Sequence, residues 1–307
     1  MIRAIYRTDV LSCLFPSPLE RPNEAMSREV PGRGGFFSPE VFLEHWLPGK
    51  GRRRTWVTDE DGRIDSLISV KSNKASSIWY VDYLQVSDDR NCHALLEYVS
   101  TAAARRGVRK LFINLSENGA LIDVAKRAGF ISYNTCYIYK YRGKAASRTE
   151  QAPDRYAIRI LSKGEESSLY SLYNAVSSHA VRSAEGLTFA EWQDRSGCCS
   201  WFERRTEYVV YRGDTLEGYL RVSFTRRAGC FEIIFRNIEG AGLECMVAHA
   251  VNQLEGRAQI FCVVPVAQWQ MRGLLEGSLF EQKGKFETMF RENAVRVEEP
   301  RFMPMRA

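Results

Sequence analysis

Several features of membrane, secreted and metal-binding proteins are missing from this sequence. No apolar run approaches the ~20 residues that a helix needs to cross a bilayer, and the opening residues (MIRAIYR) lack the apolar stretch of a signal peptide. There are only four histidines, and neither an H-x-x-x-H nor a C-x-x-C pair occurs, so metal-ligand spacing is absent. The eight cysteines are scattered apart from one adjacent pair. We therefore expect a cytoplasmic protein with reduced thiols, no membrane segment and no metal.

The charge pattern is similarly unspecific. The net charge is +6, which suits an anionic ligand such as a nucleotide but does not require one. No stripe of basic and aromatic residues indicates a nucleic-acid partner. The densest basic run, residues 52–54 (RRR), follows Pro48-Gly49 and is interpreted as a solvated loop.

A chain of 307 residues is long enough for two domains. Residues 142–153 (RGKAASRTEQAP) are polar and show no apolar periodicity, as is typical of a linker. We therefore predict an N-terminal domain over residues 1–143 and a C-terminal domain over residues 153–307.

The two halves carry the same order of predicted elements. In the first, a hairpin (54–58, 64–70), a strand (78–86), a helix (93–106), a short strand (110–115), a helix (120–128) and a strand (133–141) follow one another. In the second, the corresponding segments are 207–211, 216–224, 230–235, 243–254, 259–264, 268–279 and a strand beginning at 286. Each half also opens with a strand and a helical segment. Phe130 and Phe280 are 150 residues apart, and Gly107 and Gly256 are 149 apart. The pattern indicates a duplicated unit, in which helix crossovers make 78–86 and 110–115, and likewise 230–236 and 259–264, parallel neighbours.

The motifs in this order resemble those of the GNAT superfamily of acyl-CoA-dependent acyltransferases. Residues 82–86 (DYLQV) are similar to its fourth strand, Asn118 to an asparagine that opens a later helix, and residues 128–130 (AGF) to the close of that helix. The resemblance implies an α/β (α+β) fold: two tandem GNAT-like domains, each a twisted mixed β-sheet flanked by helices.

The resemblance also implies a glycine-rich loop that presents backbone N–H groups to the CoA pyrophosphate at a helix N-terminus. In the first half this loop (SDDRNCHA, 87–94) has no glycine and includes Asp88 and Asp89, which should repel phosphate. In the second half residues 237–242 (NIEGAG) keep Gly240 and Gly242 before a helix. A plain strand-to-helix turn would have the same glycines. By position, Ile234, Arg236, Asn237, Gly240 and Gly242 are the predicted CoA-binding residues.

The catalytic residues implied by the resemblance are only partly present. The usual tyrosine, five residues before the Gly-Phe phenylalanine, is replaced by Ala125 and Leu275 in the two halves. Tyr211 and Tyr219 are alternative proton donors, although no spacing selects them. For the general base we predict Glu232, which should lie with Ile234 on the face of its strand that borders the cleft; Asp82 is its counterpart in the first half.

Two functions follow from these residues. The first is an acyl-CoA-dependent N-acyltransferase that uses acetyl-CoA or another acyl-CoA, with its site in the second half and an amine of a small molecule or a peptide as acceptor. The second is a non-catalytic tandem GNAT-like binding protein in which both sites have decayed. A fold alone does not decide between them.

Overall fold

The computed structural model describes residues 1–6, 9, 23–26, 53–60, 63–72, 77–117, 119–143, 156–186, 188–196 and 204–294. These residues form one mixed sheet with helices packed on it. Its strands are β1 (Ile2–Ala4), β2 (Arg53–Glu60), β3 (Arg63–Ser72), β4 (Ile78–Gln85), β5 (Lys110–Ser116), β6 (Ile131–Tyr141), β7 (Ala157–Ile160), β8 (Arg204–Arg212), β9 (Thr215–Phe224), β10 (Ala228–Phe235), β11 (Gln259–Pro265) and β12 (Phe280–Glu292). The helices are α1 (Asp89–Ala104), α2 (Leu121–Arg127), α3 (Glu166–Val176), α4 (His179–Glu185), α5 (Phe189–Ser196), α6 (Gly240–Gln253) and α7 (Trp269–Glu276).

Within the described residues the predicted elements are present in both halves, and the predicted parallel neighbours are confirmed. Strand β4 pairs in parallel with β5, and β10 with β11. In each case a helix, α1 or α6, makes the crossover that a parallel connection requires. The last strand is longer than predicted, because it begins at Phe280 rather than near Phe286.

The halves share one sheet instead of forming two separate ones. The strand order is β1-β2-β3-β4-β5-β12-β6-β11-β10-β9-β8-β7. Strand β12, the last of the second half, lies between β5 and β6 of the first half, and β6 lies between β12 and β11. The final strand of each half therefore pairs with strands of the other half, and the long β6–β12 pair forms the middle of the sheet.

Caps and glycines explain where the crossover helices begin and end. Helix α1 begins four residues earlier than predicted, because the Asp88 carboxylate accepts a hydrogen bond of 2.7 Å from the backbone N–H of Asn91. Gly107 and Gly256, just beyond α1 and α6, have φ values of +74° and +79°. Glycine adopts this left-handed conformation without a steric penalty. The 149-residue spacing of the two glycines therefore reflects the same backbone turn in both halves.

The two largest clusters of buried hydrophobic residues lie under the crossover helices, and smaller clusters lie elsewhere on the sheet. Helices α1 and α2 cover β1–β5, and α6 and α7 cover the second half of the sheet. Ala125 and Leu275, at the positions expected for a catalytic tyrosine, are fully buried within these two clusters. Trp79, Tyr139, Phe231 and Phe286 are among the largest buried side chains.

Some predictions concern residues outside the described ranges. These are the helical segment near Phe42, His45 and Trp46, residues 144–153 of the predicted linker, and Asn118. The interpretation of residues 52–54 as a solvated loop is wrong for Arg53, which begins β2 and is 9% exposed. Within the described part of the chain, no helix is both long and apolar enough to span a membrane.

Candidate active site

The candidate site lies where parallel strands β10 and β11 separate. Their pairing runs from Ala228 opposite Gln259 to Phe231 opposite Cys262 and stops there. Both strands continue, β10 to Phe235 and β11 to Pro265. A gap therefore opens between their carboxyl ends, and the backbone groups along it can bind an extended ligand.

The matching gap in the first half is filled by residues 23–26. Strands β4 and β5 pair only from Ile78 opposite Lys110 to Tyr80 opposite Phe112. Beyond that point the Asn23 side-chain amide donates to the carbonyl of Asp82 (3.0 Å), and its oxygen accepts from the N–H of Leu84 (2.9 Å).

The same four residues also bond to β5. The N–H of Met26 donates to the carbonyl of Asn114 (2.9 Å), and the Asn114 side chain donates to the carbonyl of Met26 (3.0 Å). Ala25 forms a β-bridge with Leu115 and is 2% exposed. Residues 23–26 thus bond to the backbones of both β4 and β5, and they close the first-half gap.

The gap in the second half ends instead in a cavity of about 120 Å³. Its walls come from the ends of β10 and β11, from the turn before α7, and from α3 and α4, which lie over it. Because of the strand exchange, the first half also contributes, through Asn134 and Cys136 on β6. The predicted residues Glu232 and Ile234 both border this cavity.

Glu232 has a partner that sequence reasoning missed. It forms an ion pair with Arg221, and the two side chains are 24% and 19% exposed. The residues face each other across the β9–β10 hairpin. That register could have been found from the turn closed by Thr225 and Ala228, because both positions lie equally far from its centre. The catalytic role of Glu232 stays a prediction.

Arg236 and Asn237 follow β10 and do not border the cavity. Arg236 Nε lies 3.8 Å from Oε2 of Glu217, a carboxylate that is also bound by Arg212 at 3.1 Å. Asn237 is exposed in the turn that leads into α6. Along the chain, both residues therefore lie between the end of β10 and the N-terminus of α6.

The two glycines of the predicted phosphate loop have different environments. Helix α6 begins at Gly240, and its N-cap residue Glu239 makes no side-chain capping bond. A Cβ atom on Gly240 would meet nothing within 4 Å, whereas one on Gly242 would lie 2.6 Å from Ile238 and 2.9 Å from Tyr156. Close packing therefore explains Gly242, and only Gly240 borders open space.

The two helix N-termini differ as the sequence predicts. In α1 the Asp88 carboxylate binds a first-turn N–H, so an anion is already present there. The first turn of α6 has no such side chain. Because a helix N-terminus attracts anions, the first turn of α6 is electrostatically the more favourable of the two for a phosphate, and CoA binding there stays a prediction.

The alternative proton donors Tyr211 and Tyr219 do not border the cavity. Tyr219 donates to Glu207 at 2.5 Å, and its burial raises its pKa. Tyr211 donates to Glu165 at 2.7 Å, and this bond raises the pKa of Tyr211. Both phenols hold their protons more firmly than usual, so neither is suited to the role considered for it.

A second carboxylate borders the cavity and was not predicted. Glu185, at the end of α4, is 5% exposed and accepts hydrogen bonds from Tyr133 (3.1 Å) and from Tyr173. Tyr173 and Glu185 belong to the second half, and Tyr133 is on β6 of the first. Sequence spacing gives no sign of this cluster, because the strand exchange brings Tyr133 to it.

Asp82, the first-half counterpart of Glu232, is paired with basic side chains. Its carboxylate binds Arg53 through two contacts of 2.8 and 2.6 Å, and the Arg53 side chain is 2% exposed. Lys71 lies 3.7 Å away. Asp82 thus neutralises a buried cation beside the gap that residues 23–26 close.

Several solved structures with a similar architecture are described as GNAT proteins or acetyltransferases. A GCN5-related N-acetyltransferase from Sphaerobacter thermophilus is 13% identical with a TM-score of 0.60, over 96% of this chain and 97% of that one. A tandem GNAT protein from the clavulanic acid biosynthesis pathway is 14% identical with a TM-score of 0.57, over 97% and 99%. A putative acetyltransferase from Pyrococcus horikoshii is 11% identical with a TM-score of 0.55, over 96% and 90%.

These likenesses show that the chain has the GNAT fold, in its tandem form, over nearly its whole length. A scan against protein-family models finds no match, and a search of curated proteins finds none either. At such low identity the fold is shared, and the function must be argued from the site.

Proposed function

We propose that this protein is an acyl-CoA-dependent N-acyltransferase whose site lies in the second half. The donor is acetyl-CoA or another acyl-CoA, and the acceptor is an amine of a small molecule or a peptide. One observation carries the proposal: the β10–β11 gap opens into a cavity bordered by a carboxylate, while the β4–β5 gap is filled by the chain's own residues.

The second-half residues fit a CoA-type donor. The uncapped first turn of α6 and the open space at Gly240 suit a pyrophosphate. Along the chain, Arg236 and Asn237 lie between the end of β10 and that turn. The extended, amide-bearing arm of the donor would pair with the backbone of β10 near Ile234, on the side that faces the β10–β11 gap. When bound, the donor supplies a thioester, an activated acyl group.

The chemistry asked of the protein is proton removal and positioning. Glu232 takes one proton from the acceptor ammonium, and the neutral nitrogen then forms a bond to the acyl carbon as the carbon–sulfur bond breaks. The nitrogen releases its second proton to water as the amide forms. The electron pair of that bond leaves on sulfur and takes up a proton. With leucine at position 275, no side chain stands in the usual place to give that proton, so solvent is the expected donor.

The non-catalytic alternative has observations in its favour. Arg221 already binds Glu232, and a base must release such a partner to act. The buried residues Ala125 and Leu275 replace the acid in both halves. A protein that binds acyl-CoA but transfers nothing would have these features.

Binding and turnover of the purified protein distinguish the two functions. Acetyl-CoA at ~100 times its Kd should stabilise the fold by about 2.7 kcal/mol, a shift measurable by thermal denaturation. Gly240→Leu should abolish this shift. Asp88→Asn keeps the cap of α1 and should leave the shift unchanged.

Glu232→Gln tests the chemistry separately. With an amine panel, this variant should lose at least about 100-fold in kcat, the range typical of a general base, with acetyl-CoA affinity retained. Normal turnover in Glu232→Gln would remove its catalytic role. Acetyl-CoA binding without turnover on any amine would favour the binding protein, and absence of binding would refute the proposal.

A further inference from the structure

The cavity has a second carboxylate that proton transfer does not use. Glu232 comes from the sheet, and Glu185 comes from α4, which lies over it. Both oxygens of Glu185 accept phenol hydrogens, Oε1 from Tyr133 and Oε2 from Tyr173. Accepting at both oxygens is the pattern of an ionised carboxylate.

The position of Glu185 is fixed by contacts with the first half. Lys110 Nζ on β5 donates to the carbonyl oxygens of Ala184 (2.6 Å) and Glu185 (3.3 Å) at the end of α4. Gly186 follows with φ +48°, and a Cβ there would lie 2.9 Å from the same Nζ. The carboxylate is thus held from both the backbone and the side chain, as a recognition group must be.

The rest of the cavity wall is apolar or neutral. Besides the two carboxylates, the cavity is lined by aliphatic and aromatic side chains that include Val176, Val181, Val263 and Phe286. None of the described residues that border the cavity is a lysine, an arginine or a histidine. A ligand with an anionic group would find no cation in this wall, whereas a ligand cation would meet two carboxylates, of which Glu232 is already paired with Arg221.

We propose that the acceptor is a short diamine, with one amine presented to Glu232 and the other, as an ammonium, bound by Glu185. This inference rests on the proposed acyl transfer at the same cavity. The apolar wall suits the methylene spacer, and a charge-assisted hydrogen bond to Glu185 fixes the distal end. Glu185 is then the residue that determines specificity.

A matched series of acceptors tests this assignment. 1,4-Diaminobutane, butylamine and 4-aminobutyrate share a four-carbon body and differ in the group at the far end. With acetyl-CoA as donor, kcat/KM should be about tenfold or more higher for the diamine than for butylamine, the size expected for one charge-assisted hydrogen bond. 4-Aminobutyrate should be the poorest of the three.

Glu185→Gln should bring the diamine-to-butylamine ratio close to one and leave acetyl-CoA affinity unchanged. Glu276→Gln is the matched control, because Glu276 also accepts from a tyrosine, Tyr139 at 2.7 Å, but does not border the cavity. If Glu185→Gln fails to fold, Tyr133→Phe removes one hydroxyl from the cluster and should lower the same ratio.

The outcomes separate the two proposals. If acetyl-CoA binds but butylamine is used as well as the diamine, or no member of the series is used, the diamine assignment is overturned and acyl-CoA binding stands. If acetyl-CoA does not bind, the proposed transfer fails. Calorimetry with 1,4-diaminobutane alone then still tests the site, since binding lost in Glu185→Gln supports it and no binding to the unmodified protein overturns it.

Discussion

The contrast between Gly240 and Gly242 gives a quantitative prediction. Both glycines lie in the first turn of α6, so alanine changes the same local backbone at each position. At Gly242 the new methyl group would lie 2.6 Å from Ile238 and 2.9 Å from Tyr156, and both neighbours are 5% exposed. At Gly240 it would touch nothing within 4 Å.

These distances set the expected energies. Ordinary carbon contacts begin near 3.5 Å, so Gly242→Ala requires shifts of roughly 1 Å in a packed region, at a cost of about 1–3 kcal/mol. Alanine's higher helix propensity returns up to about 1 kcal/mol. Gly242→Ala should therefore destabilise by about 1–2 kcal/mol, and Gly240→Ala should be neutral or stabilising by a few tenths to about 1 kcal/mol.

Urea unfolding followed by far-UV circular dichroism would measure both variants. In thermal melts, Gly242→Ala should lower Tm by about 2–8 °C, because 1 kcal/mol corresponds to roughly 2–4 °C in large domains. Equal midpoints for the two variants would show that Gly242 is not required by packing. A loss of stability in Gly240→Ala alone would refute the assignment of open space at that position.

Three further predictions follow from other contacts. Asp82→Asn leaves the Arg53 guanidinium buried beside a neutral amide and should cost about 2 kcal/mol or more in urea unfolding; an unchanged midpoint would contradict this ion pair. Asn23→Ala removes two hydrogen bonds to β4, so it should lower the free energy of unfolding by about 1–2 kcal/mol. Asn23→Asp keeps only the acceptor oxygen, and its free energy of unfolding should lie between those of Asn23→Ala and the unmodified chain. Burial lowers the pKa of His249 below its ordinary value of 6.5, so the stability from its neutral ring beside Tyr208 is present above that value and is lost as pH falls. Stability should therefore decline below about pH 6.5, and a His249→Gln variant with the same pH profile would exclude His249 as the cause.

The parts of the fold that the sequence predicts are those set by local pattern. Alternating and β-branched residues mark the strands, as in Ile78–Gln85, and apolar spacing marks the crossover helices. The parallel pairs follow from the crossovers themselves. The exchange of β6 and β12 could not be predicted, because pairing between strands about 150 residues apart leaves no mark in either strand's own pattern.

The same distinction between local sequence pattern and long-range pairing applies to the candidate site. Side-chain alternation predicts Glu232 and Ile234 on the face of β10 that borders the gap, and both border the cavity, but so does Ile233 on the opposite face. Arg221 was predictable from the hairpin register but was missed. The contact of Tyr133 with Glu185 depends on long-range folding, as does the filling of the first-half gap by residues 23–26. A short polar segment has no pattern that identifies its partner.

The exchange of final strands also constrains how a ribosome can produce this protein. Strand β5 is complete at residue 116, but its neighbour β12 is made only at residues 280–292. At ~5–20 residues per second, an edge of β5 therefore exposes unpaired backbone groups for roughly 10–35 s, and such edges template aggregation. Helix-mediated contacts within the first half can form at once, while the middle of the sheet must wait for the last strand. A nonsense mutation before residue 280 would accordingly remove a strand from the centre of the sheet, and the shortened product should be insoluble.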